Sequence, residues 1–220
     1  MGRIKYGIDL GTTNSAIAKI EKGESVINKS DSNADTTPSC VGFRKKGSVM
    51  SGLRAINTLK SDKLKAFRSG KSSESNFFIE FKRTMGSDKK YHSSVSDEDF
   101  SSEQLSSEIL KKLKSYLQNE VISSAIITIP AMFNDNQKTA TQKAAELAGI
   151  SQAELLQEPI AAAMAYGLDE KTKDGDLLIF DFGGGTFDVC LVKMEDAIMQ
   201  VKDTDGDNWL GGKTLDNAIV

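Results

Sequence analysis

Cysteine and proline are nearly missing from this 220-residue chain, which has two cysteines, Cys40 and Cys190, and three prolines. Two thiols so far apart, with no second pair, build neither a disulfide framework nor a thiolate metal site; a reducing cytoplasm is the compartment they suit. Long hydrophobic runs are missing too. No stretch approaches the roughly 18 residues of a membrane span, and the chain enters directly into the alternating Ile4, Tyr6, Ile8 and Leu10 rather than a signal core. The expectation is a chain that is not exported. Met1-Gly2 would open a myristoylation signal only with Ser or Thr where Tyr6 stands. Charge of one sign is not in excess either: 28 basic against 31 acidic residues give a net charge of −3 and a pI near 5.4. That excludes a global attraction for nucleic acid or for an anionic membrane. Between 59 and 90 lysines and arginines are many, but acids are interspersed and stacking aromatics few, so this is read as a solvated face. The single histidine, His92, sits in a polar stretch without a partner motif, which supports neither a metal nor a catalytic role.

What is present is the profile of a folded chain, with 39% hydrophobic and 27% charged residues. Residues 4–20 read as a hairpin, Ile4–Leu10 and Ala16–Ile20 alternating about Gly11-Thr12-Thr13-Asn14. From about Ser39 to Tyr91 the pattern weakens into a polar, Lys-rich subdomain, with Ser69-Gly70-Lys71-Ser72-Ser73 as a loop tip. Ser101 and Gln104 form a capping box, and Leu105, Ile109, Leu113 and Leu117 then share one helical face. Ala125–Ile129 is a short strand stopped by Pro130. Asn134 and Gln137 announce a further helix running to Gly149, and Pro159 opens another over Ile160–Tyr166, closed by Gly167. After a charged linker, Asp169–Gly175, the strands Leu177–Phe182, Thr186–Met194 and Ala197–Asp205 read as a β-meander. A last helix start falls at Thr214–Val220. Alternating strands and helices between two hairpins argue for a mixed α/β architecture. A three-stranded sheet with barely one turn of helix leaves a face uncovered, so the expectation is a sequence that stops inside a domain.

The sharpest observation is an internal repeat. Gly7-Ile8-Asp9-Leu10-Gly11-Thr12-Thr13 near the start returns as Ile179-Phe180-Asp181-Phe182-Gly183-Gly184-Gly185-Thr186. Each copy ends a strand with Asp and turns through glycine to Thr. Such turns let the backbone approach a bound group, and their consecutive amides form a concavity for anions, phosphate above all. Asp9 and Asp181 offer the hard oxygen ligands that suit Mg²⁺ beside a phosphate. Asp188, two residues after Thr186, falls on the same strand face and could join them. Either hairpin alone reads equally as a plain β-turn; the pair together favours the phosphate site.

These motifs, with TPS at 37–39, KR at 82–83, IPAMFND at 129–135, EPIAAAMAYGLD at 158–169 and DFGGGTFDV at 181–189, resemble the seventy-kilodalton heat-shock chaperone family over nearly the whole chain. The match is weakest between about 45 and 100. The resemblance implies an α/β chain of the actin-like, ribonuclease H-like ATPase fold, here the first lobe plus the beginning of the second. Residues 1–38 and 118–170 would form the first-lobe core, 39–117 its peripheral subdomain, and 171–220 the truncated start of the second lobe. It also implies that ATP or ADP is held with Mg²⁺ and K⁺. Gly11, Thr12, Thr13, Asn14 and Gly183, Gly184, Gly185 would take the phosphates, Asp9, Asp181 and Asp188 would serve the metal, and Thr186 would face the γ-phosphate. Lys82 would hold that phosphate and orient the attacking water, Glu158 would bind the metal's water shell, and Asp181 and Thr186 would complete the catalytic set. Pro130 with Lys138 would relay nucleotide state, although Lys138 stands where Arg is usual and loses its bidentate geometry. Met132 replaces an aromatic, and Lys213, in Leu210-Gly211-Gly212-Lys213-Thr214-Leu215-Asp216, replaces an acid. Trp209 is expected to pack.

The implied function is the ATP-binding and ATP-hydrolysing part of a cytoplasmic stress-response chaperone. Its implied partners are a peptide-binding domain missing from this chain, a J-domain cochaperone, a nucleotide exchange factor and unfolded clients, with no nucleic acid and no membrane. A sugar or acetate kinase of the same fold, a non-hydrolysing binding module and a filament-forming actin relative remain the alternatives.

Overall fold

In a computed structural model, which describes residues 4–45, 47–70, 75–118, 120–166, 174–196 and 198–219, the central element is a mixed sheet built around the first hairpin. Strand β1 (Tyr6–Asp9) pairs antiparallel with β2 (Asn14–Glu21), and β2 pairs with β3 (Glu24–Ile27) and with the short β4 (Thr37–Pro38). A small sheet follows, with β5 (Cys40–Lys45) between β6 (Ser48–Ser51) and, beyond helix α1 (Leu53–Ser69), β7 (Phe77–Ile79). A 3₁₀ turn, Phe81–Thr84, leads to the ribbon of β8 (Lys90–Ser93) and β9 (Glu98–Ser101), and then to α2 (Ser102–Lys114). Strand β10 (Ser124–Ile129), α3 (Asp135–Leu147) and β11 (Gln152–Gln157) form a crossover unit whose strands add in parallel to β1, giving the order β11-β10-β1-β2-β3. Helix α4 (Glu158–Ala165) carries the chain to an antiparallel meander of β12 (Gly175–Phe182), β13 (Phe187–Glu195) and β14 (Ile198–Asp207), after which comes α5 (Gly212–Ile219).

Local chemistry accounts for the helix starts. The Ser101 hydroxyl accepts from the Gln104 amide, and the Gln104 side chain accepts from the Ser101 amide at 2.8 Å. Asn134 and Gln137 repeat that exchange at 3.0 Å in both directions. Each reciprocal cap satisfies two amides that a helix start leaves unpaired, and losing one costs about 1 kcal/mol. Leu105, Ile109, Leu110 and Leu113 of α2 are buried against Ile8, Ile17 and Ile127 of the main sheet and Ala144 and Ala145 of α3. At about 1.5–3 kcal/mol for each large apolar side chain buried, this one face outweighs the caps several times over. Leu117 is buried on the same core but lies past the end of the helix at Lys114. The meander falls where the sequence placed it. The charged linker, Gly167 and the 71–73 portion of the loop tip lie largely or wholly outside the described residues.

The weakly patterned stretch holds an element the sequence reading lacks, the 17-residue α1. Gly52 at its N-cap has φ 69° and supplies no capping side chain, while Gly70, read as a loop tip, is its left-handed C-cap and returns its amide to Ala66 and Phe67. Only Ala55 and Leu59 of α1 are buried, in a second small core with Cys40 and Phe77.

Candidate functional site

Strand β1 ends at Asp9. Its parallel register sets Ile8 beside Ile127, both buried in the core, so alternation puts Asp9 and Thr128 on the opposite face. There the Thr128 hydroxyl donates to Asp9 Oδ1 at 2.9 Å. Asp9, Pro130 and Glu158 stand at or just past the carboxyl ends of β1, β10 and β11, the edge where parallel sheets place their ligands. In the loop after Asp9, the Ser39 hydroxyl donates to the Gly11 carbonyl at 2.7 Å and the Ser39 amide to the Thr13 carbonyl at 2.8 Å. The Gly11 amide in turn donates to Ser15 Oγ at 3.2 Å. A trans peptide points each carbonyl opposite to the next residue's N–H, so anchoring these two carbonyls turns the amides of Thr12 and Asn14 away from Ser39.

The second hairpin has the same register. Each acid faces the residue seven positions on, Asp9 opposite Ala16 and Asp181 opposite Asp188. Its loop is anchored from behind in the same way. The amides of Gly212 and Lys213 donate to the carbonyls of Gly183 and Gly184, each at 3.0 Å, and the Arg83 guanidinium donates to the carbonyl of Gly185. Three consecutive carbonyls held on one side leave the amides of Gly184, Gly185 and Thr186 pointing to the other. The two loops meet closely: a Cβ added at Gly184 would lie 2.7 Å from Thr13 Oγ1, and one at Gly185 would lie 3.3 Å from Thr12 Cγ2. Between them runs a cleft of about 420 Å³, lined by Asp9, Gly11, Thr12, Thr13, Asn14, Asp181 and the 183–186 loop, with Lys82, Glu158 and Pro130 in its wall.

Lys82, from the 3₁₀ turn, and Glu158, at the start of α4, form an ion pair of 2.7 Å, with side chains only 7% and 19% exposed. The ammonium also lies 5.7 Å from the centre of the Phe133 ring. Beside Asp181, Asp188 is 5% exposed and its Oδ1 has no hydrogen-bond partner among the described residues. Burial first, then the nearby negative charges of Glu158 and Asp181, push its pKa up to about 6; Lys82 opposes the shift. Among the described residues the cleft thus sets the carboxylates of Asp9, Glu158 and Asp181, with Asp188 behind them, against the one ammonium of Lys82, a local excess of negative charge that a cation would relieve. Among the described residues no three His, Cys, Asp or Glu side chains converge tightly enough to cage a metal alone. That fits Mg²⁺, which commonly takes one or two carboxylates and completes its shell with phosphate oxygens and water.

The other sequence candidates fall elsewhere. Pro130 lines the cleft, whereas Lys138 pairs with Asp135 at 3.2 Å in the first turn of α3 and is not among the lining residues. Met132 is exposed. His92 is exposed too and meets Asp99 across the β8–β9 ribbon at 2.9 Å. Trp209, expected to pack, is 66% exposed and offers its ring face to the Arg83 guanidinium at 4.7 Å. The sequence reading missed Ser15, Ser39 and Thr128 as braces of the first loop and gave Arg83 no role. The TPS and KR motifs were the available signals, without a chemistry attached.

A mixed α/β chain with two matching glycine hairpins facing each other across an acid-lined cleft is the class of protein so far described. The family model described as Hsp70 protein matches residues 5–220. Over 219 residues the chain is 42% identical to the "Chaperone protein DnaK" of Thermosipho africanus, an alignment covering 97% of this chain and 34% of that protein. The chain belongs to the Hsp70 family and spans about a third of the length of that relative.

Proposed function

We propose that this chain is the ATP-binding part of an ATP-hydrolysing chaperone, built on the actin-like ATPase fold. The observation that carries the proposal is the facing pair of hairpin loops, each with its carbonyls tied back and its acid at the strand end, with the Lys82–Glu158 pair between them. In this reading 1–38 with 118–170 and 39–117 are the core and periphery of one lobe, and 171–220 opens the other. The amides of Thr12, Asn14, Gly184, Gly185 and Thr186 hold the phosphate oxygens, and the hydroxyls of Thr12, Thr13 and Thr186 add donors. Lys82 places its ammonium where charge develops on the transferred phosphoryl group, and phosphoryl transfer depends mainly on such positioning and electrostatic stabilisation. Glu158, released from Lys82 when phosphate competes for the ammonium, orients water at the cleft wall. Asp9 and Asp181, directly or through water, would hold Mg²⁺, with Asp188 next to Asp181 adding negative charge, and Mg²⁺ would supply neutralising charge on the phosphates; K⁺ would suit the same oxygen-rich wall. Pro130 and Lys138 pass the state of the cleft to the surface of α3.

Coupling to a peptide-binding domain, a J-domain cochaperone, an exchange factor and unfolded clients in the cytoplasm, under stress, completes the proposal. The support is family membership together with the relative's name. Calorimetric titration of Mg-ATP into this chain tests the binding step. Steady-state hydrolysis by the longer protein and its Lys82→Ala variant tests the chemistry: turnover should fall at least about a hundredfold. Undiminished turnover rejects the role of Lys82, and no nucleotide binding by the longer protein rejects the ATPase reading.

One observation favours a second reading, in which this stretch by itself holds phosphate without turnover. Among the described residues lining the cleft none is aromatic, and the apolar ones are Pro130, Ala161 and Ala162, so nothing here is shaped to grip a base. Mg-tripolyphosphate would then bind this chain as well as Mg-ATP does. A tenfold preference for ATP removes that reading.

A further inference from the structure

The second glycine loop is held by a side-chain cluster that reaches it from two distant parts of the chain. Glu80 takes φ 60°, ψ 16°, a left-handed conformation that a non-glycine residue adopts only when its surroundings impose it, often at functional sites. From there its carboxylate accepts from Arg83 at 3.1 Å through one oxygen and from Lys213 through the other. Arg83 is almost fully buried, gives a second donor to the Gly185 carbonyl and stacks on Trp209. Trp209 is itself fixed, its amide donating to Asp207 at 2.7 Å and its carbonyl accepting from the Thr214 hydroxyl at 2.9 Å. Lys213 is held at both ends: its amide binds Gly184 and its ammonium binds Glu80. One carboxylate therefore joins the two groups that support the carbonyls of Gly184 and Gly185. Gly211 completes the contact, because a Cβ there would meet the Gly185 amide nitrogen at 2.5 Å.

We infer that Glu80, Arg83 and Lys213 are positioning residues that lock the 183–186 loop in its anion-binding conformation, with Glu80 as their shared counter-ion. None of them lines the cleft. They act through the direction in which the peptide planes after Gly184 and Gly185 point. The fork of Arg83 is needed because one guanidinium must serve a carboxylate, a carbonyl and a ring face at once, which an ammonium cannot do. The inference rests on the phosphate-binding role of the loop.

Charge exchange tests it in this chain, with Mg-ATP and Mg-tripolyphosphate titrated by calorimetry and the emission of Trp209, the one tryptophan, followed alongside. K213E and E80K each set like charges together and should weaken binding of both ligands about tenfold; the E80K/K213E pair re-forms the 80–213 contact but still opposes an ammonium at position 80 to Arg83, so it should bind better than E80K without regaining the parent's affinity. Lys213→Arg should bind as the parent does, and Arg83→Lys should not. Circular dichroism confirms that each variant is folded, and the double exchange keeps the test meaningful if one single variant is not. Binding unchanged in both single variants while Trp209 emission shifts would show a cluster that does not position the loop, and overturns the inference. A double exchange no better than E80K alone overturns it as well. Failure of the parent chain to bind either ligand is seen before any variant is made; it sinks the phosphate reading and this inference with it.

Discussion

Replacing Lys82 by Met removes the one ammonium that, among the described residues, faces Glu158, Asp181 and Asp188, while keeping most of the side chain's length. The ion pair is short and both partners are mostly out of water, so the carboxylate left behind is poorly compensated. Breaking a buried pair from one side costs about 3–5 kcal/mol, and the partial exposure of Glu158 puts this case at the lower end, about 3 kcal/mol. With a urea m-value of about 2–3 kcal/mol/M for a chain of this size, the midpoint should fall by about 1 M at pH 8. Replacing Glu158 by Gln in the same protein should recover most of that loss, because the stranded charge goes with it. Acidity should do the same. The folded pKa of Asp188 is already raised, and losing Lys82 raises it further, so the folded state takes up a proton where the unfolded state does not. That contribution is complete below the unfolded pKa near 4 and is lost as the pH climbs through 6, so the penalty must be smaller at pH 5 than at pH 8. A single variant within about 0.5 kcal/mol of the parent at pH 8, or a double variant no more stable than the single one, refutes this account of the pair.

The remaining expectations concern single atoms. Asp188→Asn removes a buried carboxylate with an unpaired oxygen and should stabilise the ligand-free chain at pH 8 by up to about 3 kcal/mol, with little gain at pH 4.5; thermal unfolding at the two pH values reads the difference. Ser39→Ala withdraws the donor from the Gly11 carbonyl and should cost about 1–3 kcal/mol in denaturant unfolding. Gly211→Ala presses a methyl group on the backbone of Gly184 and Gly185 and should cost about 1–3 kcal/mol, with a weaker calorimetric response to Mg-ATP.

Elements with a local chemical signature were legible in the sequence. Ser101 with Gln104, Asn134 with Gln137, and Pro159 at the head of α4 each act through neighbours within a turn, and both glycine hairpins announce themselves by residue type. Helix α1 gave no cap signal, because Gly52 offers no capping side chain and no acid stands in its first turn; its apolar residues Leu53, Ile56, Leu59, Leu64 and Phe67 were the signal overlooked among the lysines. The site was legible only in its parts. Lys82 and Glu158 are 76 positions apart, Arg83 and Gly185 are 102 apart, and Glu80 and Lys213 are 133 apart. No spacing rule links such pairs; Phe81, buried in the main core, sets Lys82 of the 3₁₀ turn beside the end of β11 where Glu158 stands, and the contact of that turn with the 183–186 loop and the start of α5 brings the others together. Trp209 was misjudged for a related reason. A large ring suits a core or a cation equally well, and only the position of Arg83 decides between them.

The scarcity of cysteine has a practical consequence once the strands are in place. Cys40 lies on the small sheet with β6 and β7, Cys190 lies on the meander, and they are 0% and 1% exposed. Burial pushes the Cys40 thiol up to about 12 and raises the Cys190 thiol as well, so neither reacts at neutral pH until its strand opens. Each sheet therefore carries its own chemical clock. The rate at which a small alkylating reagent captures Cys190 reports the breathing of the second hairpin, and capture of Cys40 reports the sheet beside α1. After digestion, the peptides that carry Cys40 and Cys190, each shifted by one adduct, record the two motions in a single unlabelled sample.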